Sequence, residues 1–187
     1  MKAITSYRQN GLITSLAMRF SALTFCRPGE IRKAEWTEID FGEKLWRIPP
    51  TKMKGKRLHL VPLAPQSLKA IEELKLITCQ SRYLFPSRRS NTAPMSEAAV
   101  LAALRSLGYE KDQMCAHGFR GMASTALNEK GLPSDWIELQ LAHTQGNSVR
   151  AAYNHAQHLD GRRKMMMWWA DYLDALEFNQ VPPKIPA

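Results

Sequence analysis

The apolar positions change period twice along the first part of the chain. From Gly11, "LITSLAMRFSALTF" places Leu12, Leu16, Arg19 and Leu23 at helical spacing within an almost wholly apolar run, which predicts a mostly buried helix. The run stops at "CRPGE". Pro28 suits the first turn of a second helix and Glu30 lies near that helix's positive end, so Arg27 falls at the junction of two helices. Between Trp36 and Leu63 the pattern becomes short β-prone runs, "TEIDF", "LWRIP" and "RLHLVPL", parted by "GEK" and by the basic turn "TKMKGK". These predict a small antiparallel sheet. Helical spacing returns after Pro65 in "QSLKAIEELKLI"; residues 86–94, rich in Ser, Arg, Asn and Pro, read as a loop, and "MSEAAVLAALRSLGY" as a helix starting near Pro94 or Ser96. "HGFRGMASTALNEKG" reads as a helix closed by Gly131. A helical C-terminal half is completed by "PSDWIELQLAH", "SVRAAYNHAQH" and "GRRKMMMWWADYLDALEF". In the last of these, Met165, Trp168 or Trp169, Tyr172, Leu173 and Leu176 form a stripe that predicts core. The closing "NQVPPKIPA" predicts a mobile tail.

At 187 residues the chain is long enough for one domain, alone or with that tail. With 44% hydrophobic and 23% charged residues it is ordinary for a globular protein, which argues against disorder and coiled coil. Charge changes the picture. Lys and Arg number 26 against 17 Asp and Glu, a formal net charge of +9, which favours a polyanionic partner over a merely basic protein. Arg8 and Arg19 flank an apolar run too short for a secretion signal, and no stretch reaches the roughly 18 apolar residues of a membrane span. Cys26, Cys79 and Cys115 are odd in number and widely spaced, so they read as reduced thiols of a cytoplasmic protein, with no metal-ligand spacing.

Candidate chemistry begins at His117-Gly118-Phe119-Arg120, where residues i and i+3 share a helix face and aim an imidazole and a guanidinium at one place, beside glycines that allow close approach. Alone, H-x-x-R is common. Here it has company in a definite order: Arg27 in "CRPGE", Lys54 in "KMKGK", His117 and Arg120, His143 in "LAH", then Tyr153 in "VRAAYN". That set resembles the Arg-Lys-His-Arg-His-Tyr signature of the tyrosine recombinases, the phage-integrase family. The local wording "RPGE", "VPL", "HGFR", "LAH", "VRAAYN" and the closing "RR" with "WWADYLD" is similar to integrases of phages, satellite phages and genomic islands.

The resemblance implies a mixed fold, mainly α with a small three-stranded antiparallel sheet, with residues 1–178 as the catalytic domain and 179–187 as the tail. The core-binding and arm-binding domains that usually precede this region are absent from the sequence. It also implies site-specific cleavage and rejoining of double-stranded DNA through a 3′-phosphotyrosyl intermediate, for integration or excision of a mobile element. No metal or other cofactor is expected. The expected assembly is a monomer in solution and a tetramer on DNA when full length, helped by DNA-bending proteins, in a bacterial or phage-encoded setting at the nucleoid, with no membrane partner.

Roles follow from chemistry and resemblance together. A phenol with an ordinary pKa of about 10 is a weak nucleophile at neutral pH, so Tyr153 needs help to attack phosphorus. Arg27 and Arg120 are candidates to neutralise the non-bridging oxygens through bidentate hydrogen bonds. Lys54 lies just before Gly55 and eight positions before Pro62, the family's hairpin-tip position, and is expected to protonate the departing 5′ oxygen. His117 suits a general acid or base, and His143 a further phosphate donor. Lys52, Lys56, Arg57, Arg88, Arg89 and Arg150 are expected to meet phosphates outside the active site, with solvated surface charge as the alternative for each. Glu30 reads as structural, capping its helix or holding Arg27, while His59, His155 and His158 receive no role. Two other readings stay open: a type IB topoisomerase-like enzyme that relaxes DNA, and a truncated, non-recombining DNA-binding fragment.

Overall fold

A computed structural model describes residues 1–143 and 158–185. The described chain is mainly helical around α2 (Leu12–Thr24), which follows a short α1 (Lys2–Ser6). One face of α2 places Leu16, Ala17 and Phe20 in a core shared with the sheet side; the other, with Met18, Ala22 and Leu23, joins the core of the C-terminal helices. That two-sided burial explains why its apolar run has so few polar breaks. Phe20 is fully buried, worth about 2–3 kcal/mol, and its ring lies 5.5 Å from Trp46 and 5.8 Å from Phe85. The helix ends at Phe25, whose φ of 41° is left-handed, and the chain then turns through Arg27 into α3 (Pro28–Arg32).

The expected three-stranded sheet is present in the order β1 (Ile39–Asp40), β2 (Leu45–Ile48), β3 (His59–Pro62), antiparallel throughout. Ile48 pairs with His59, so residues 49–58 form the connection that bears Lys54. Beyond α4 (Pro65–Thr78), the stretch 86–94 departs from the expected loop: β4 (Pro86–Ser87) and β5 (Ser90–Pro94) form a second antiparallel pair. Its strands are short and polar, and Asn91 and Thr92 are exposed, so no apolar alternation marks them. The next helix, α5 (Ala99–Ser106), starts later than its apolar pattern suggests.

The C-terminal half follows the expected helices as α6 (Gly118–Glu129), α7 (Ser134–Gln140) and α8 (Leu159–Phe178). Gly131, with φ of 75°, closes the turn after α6, where Leu132 N–H reaches Leu127 O. Gly161 lets α8 approach α7, since a Cβ there would stand 2.3 Å from the Trp136 ring. The helix expected in "SVRAAYNHAQH" lies almost wholly outside the described residues. Within the α8 stripe, Met165, Trp168, Trp169 and Leu173 are core, but Leu176 is exposed, on the outer face of the helix between the buried Ala175 and Glu177. The residues after α8 are irregular as expected, yet not wholly detached: Trp168 Nε1 donates to Pro183 O at 3.1 Å. No helix among the described residues is long and apolar enough to cross a membrane.

Arg162 ties these layers together beneath the site. It is fully buried and donates to Leu60 O on β3 at 2.5 Å and to Gln140 Oε1 at 2.6 Å, while Gln140 Nε2 donates to Thr24 O at 3.1 Å. Burial pushes its pKa down to about 10, and Nε and Nη1 have no partner among the described residues.

Candidate active site

The site is assembled where α7 stops. Leu141 caps the helix and Ala142 takes a left-handed φ of 48°, so the last carbonyls lack partners within the helix. Two arginines supply them. Arg120, on the first turn of α6 and buried, donates through Nη2 to Leu141 O and through Nη1 to Phe25 O at 3.3 Å. Arg27, at the N-terminus of α3, donates through Nη2 to Ala142 O at 3.3 Å. Cations are favoured at a helix C-terminus, which offsets part of the repulsion between two guanidiniums held this close. Burial, and then Arg27, pushes the Arg120 pKa below the usual arginine value.

Glu30 carries out both expected tasks. Its Oε2 accepts the Arg27 backbone N–H at 2.9 Å, capping α3, and its Oε1 accepts from Arg27 Nη1 at 2.9 Å. Glu30 is buried and Arg27 is 27% exposed, so the carboxylate aligns the guanidinium from within while leaving it accessible. His143 follows the same turn, with Nδ1 2.6 Å from Glu138 Oε2. With Nδ1 on the carboxylate, Nε2 can donate to an anion when the ring carries a proton on both nitrogens. His117 precedes α6 and is exposed, and Arg120 N–H bonds to its carbonyl at 3.1 Å.

Arg27, Arg120 and His143 are therefore gathered at one turn, with His117 at the head of the helix bearing Arg120. Lys54 stands on the β2–β3 connection, exposed, and its side chain makes no hydrogen bond or ion pair with the described residues. Lys56, Arg57, Arg88 and Arg89 are likewise uncommitted, as an outer phosphate contact requires. Lys52 is different. Expected to meet phosphate, it is instead engaged with Lys33 O at 2.7 Å, Glu35 Oε1 at 2.7 Å and Glu38 Oε1, because the chain turns its ammonium inward over two buried acids. Tyr153 and Arg150 lie outside the described residues.

A hollow of about 280 Å³ against α3 is lined by Pro28, Gly29, Met95, Ser96 and Ala116, among others. A second, of about 400 Å³, shares Met95 and Ser96 and reaches Arg88 and Arg89. Among the described residues no group of three or more His, Cys, Asp or Glu could hold a metal ion. Sequence reasoning assigned no role to Glu138, Gln140, Glu35, Glu38 or Arg162. Glu138 pairs with His143 only because the chain folds back at Ala142, a spacing no helix rule would select.

With that geometry in hand, comparison with known proteins is decisive. A sequence profile described as "Phage integrase family" matches residues 1–159. The chain belongs to the phage integrase family. It is 46% identical to the integrase of Enterobacteria phage P4 over 186 residues, covering 91% of this chain and 42% of that one. The integrase of Shigella phage Sf6 is 43% identical over 164 residues, covering 87% of this chain and 42% of that one. The prophage integrase IntA of Escherichia coli is 42% identical over 168 residues, covering 90% and 40%. The chain thus spans about two-fifths of the length of these integrases. Among solved structures, the lambda integrase catalytic core aligns with a TM-score of 0.60 at 18% identity, covering 78% of this chain and 88% of that one. XerA recombinase aligns with a TM-score of 0.61 at 19% identity, covering 88% and 60%. At those identities the likeness is one of fold.

Proposed function

We propose that this chain is the strand-cleaving and rejoining domain of a site-specific DNA recombinase. The observation that carries the reading is the meeting of Arg27, Arg120 and His143 at the end of α7, a cationic turn suited to a phosphodiester. Two guanidiniums beside a buried core can offset the charge that gathers on the non-bridging oxygens at phosphorus. The Tyr153 phenolate oxygen bonds to phosphorus as the bond to the 5′ oxygen breaks. The phenolic proton passes to His117 and the leaving oxygen takes a proton from Lys54. His143, held through Nδ1 by Glu138, donates from Nε2 to the phosphate as the doubly protonated imidazolium. The product is a 3′-phosphotyrosyl diester and a free 5′ hydroxyl, and reversal with a different 5′ hydroxyl exchanges strands. Lys56, Arg57, Arg88 and Arg89 on the β2–β3 and β4–β5 connections, together with Arg150, extend the grip along the duplex. Joined to core-binding and arm-binding domains, it would share a clamp on DNA, with four copies assembled on the recombining sites and DNA-bending proteins assisting.

A pool of nicked duplexes, randomised around the nick, tests the reading. The chain should form a complex with DNA that survives denaturing electrophoresis, and should pass the held strand to an added strand with a free 5′ hydroxyl. DNA retained only under native conditions would instead support a binding fragment. Relaxation of supercoils with no transfer between duplexes would support a topoisomerase-like activity.

A further inference from the structure

The β2–β3 connection carries lysines in opposite states. Lys54, at the exposed crest beside Gly55, has no side-chain partner among the described residues, whereas Lys52 has no donor to spare. An ammonium offers three N–H groups, and Lys33 O, Glu35 Oε1 and Glu38 Oε1 take all three. The acids are fully engaged as well. Glu38 Oε2 accepts from Trp46 Nε1 at 3.0 Å and from Glu35 N–H at 3.2 Å, and Glu35 also pairs with Arg82 at 2.9 Å. Two acids and two bases leave the cluster neutral, so it has little electrostatic reason to attract DNA.

Its position is the informative feature. Lys33 directly follows α3, the five-residue helix that Arg27 caps at its N-terminus. The next residue after Lys52, Met53, is buried in the sheet-side core, and Lys56 N–H closes the turn on Met53 O at 3.0 Å. Lys54 is therefore the first residue beyond two consecutive anchors, and the anchors fix its base to the same short helix that holds Arg27. A proton donor and a phosphate grip that share one rigid frame keep their separation as DNA enters.

We propose that Lys52, clamped by Glu35 and Glu38, is a positioning residue that sets Lys54 for protonation of the 5′ leaving oxygen. The inference rests on the reading of Lys54 as general acid. A duplex with a 5′-bridging phosphorothiolate tests it, because a thiolate departs without a proton. Single-turnover cleavage at saturating duplex is compared on oxygen and sulfur substrates for the unaltered chain, Lys52→Met, Glu38→Gln and Lys54→Ala. Lys52→Met and Glu38→Gln should lose about 10–100-fold on oxygen, part of what a general acid supplies, and recover to within about threefold on sulfur with DNA affinity changed less than about twofold. Lys54→Ala should show a larger loss with the same recovery. The sulfur-to-oxygen ratio is read on whatever fraction is folded, so a less stable variant still reports. Equal losses on both substrates, or a loss confined to affinity, would overturn the proposal and leave the cleavage reading intact. So would recovery in Lys52→Met without recovery in Lys54→Ala, which would make Lys52 the donor. If the unaltered chain cleaves neither substrate, the proposed function fails first and this inference with it.

Discussion

Glu30→Gln probes the electrostatic balance at the paired arginines. The carboxylate holds Arg27 through two 2.9 Å hydrogen bonds, and nothing else acidic is bonded to either guanidinium among the described residues. A glutamine retains one oxygen to cap the Arg27 N–H but turns a donor toward Arg27 Nη1 or loses that contact. Breaking a fully buried ion pair costs about 3–5 kcal/mol. Arg27 is 27% exposed and so partly screened, which lowers the expected loss to about 2–3 kcal/mol. For a chain of this size that corresponds to a fall in Tm of roughly 4–12 °C. The second half of the prediction separates a binding site from a structural ion pair. With Glu30 neutral, two adjacent cations lack their anion, and a DNA phosphate seated on them would replace it. Saturating duplex at low salt should therefore raise the Tm of Glu30→Gln by more than it raises that of the unaltered chain. Differential scanning fluorimetry with and without duplex reads both numbers. A variant as stable as the parent, or one whose DNA-induced shift is no larger, would refute the reasoning.

Hydrogen bonds from Arg82, then Lys52, hold the Glu35 carboxyl below its usual pKa. A depressed carboxylate contributes stability above its unfolded value and loses it as pH falls through the lower folded value, so urea melts between about pH 5 and pH 3 should show a steeper loss for the parent than for Glu35→Gln. Gly161→Ala should lower the Tm even though alanine favours helix by about 1 kcal/mol, because its Cβ would meet Trp136 at 2.3 Å, whereas Gly121→Ala on α6, with nothing within 4 Å, should raise it. A thiol reagent should label the exposed Cys79 and Cys115 in the native chain and reach Cys26 only on unfolding, since burial removes access and pushes its thiol pKa up. Counting labelled sites by mass spectrometry, with and without denaturant, checks this.

The features legible in the sequence were those that local chemistry encodes. Proline after Arg27 and an acid three residues on specify a helix start, and the structure builds that start with the Arg27 backbone and guanidinium both on Glu30. A change from helical spacing to short β-prone runs announced the sheet, and His117 and Arg120 at i, i+3 announced a shared turn. What escaped depends on contacts distant in the chain. Lys52 looked like its neighbours in "TKMKGK", and only the approach of Glu35 and Glu38 from 17 and 14 residues away turns it inward. Arg162 sits in a basic "GRRK" in which nothing local distinguishes it from its neighbours, and its carbonyl partner, Leu60, is 102 residues distant. The β4–β5 pair escaped for the opposite reason, since its strands bury too little to leave a pattern.

The central claim is that a tyrosine stores the broken phosphodiester bond. It is tested most directly by mass spectrometry of the covalent complex after exhaustive nuclease and protease digestion. Digestion should leave a nucleotide joined through its 3′ phosphate to Tyr153, and Tyr153→Phe should give no complex. An undiminished complex from that variant, a link to another side chain, or a 5′-phosphate attachment would contradict it.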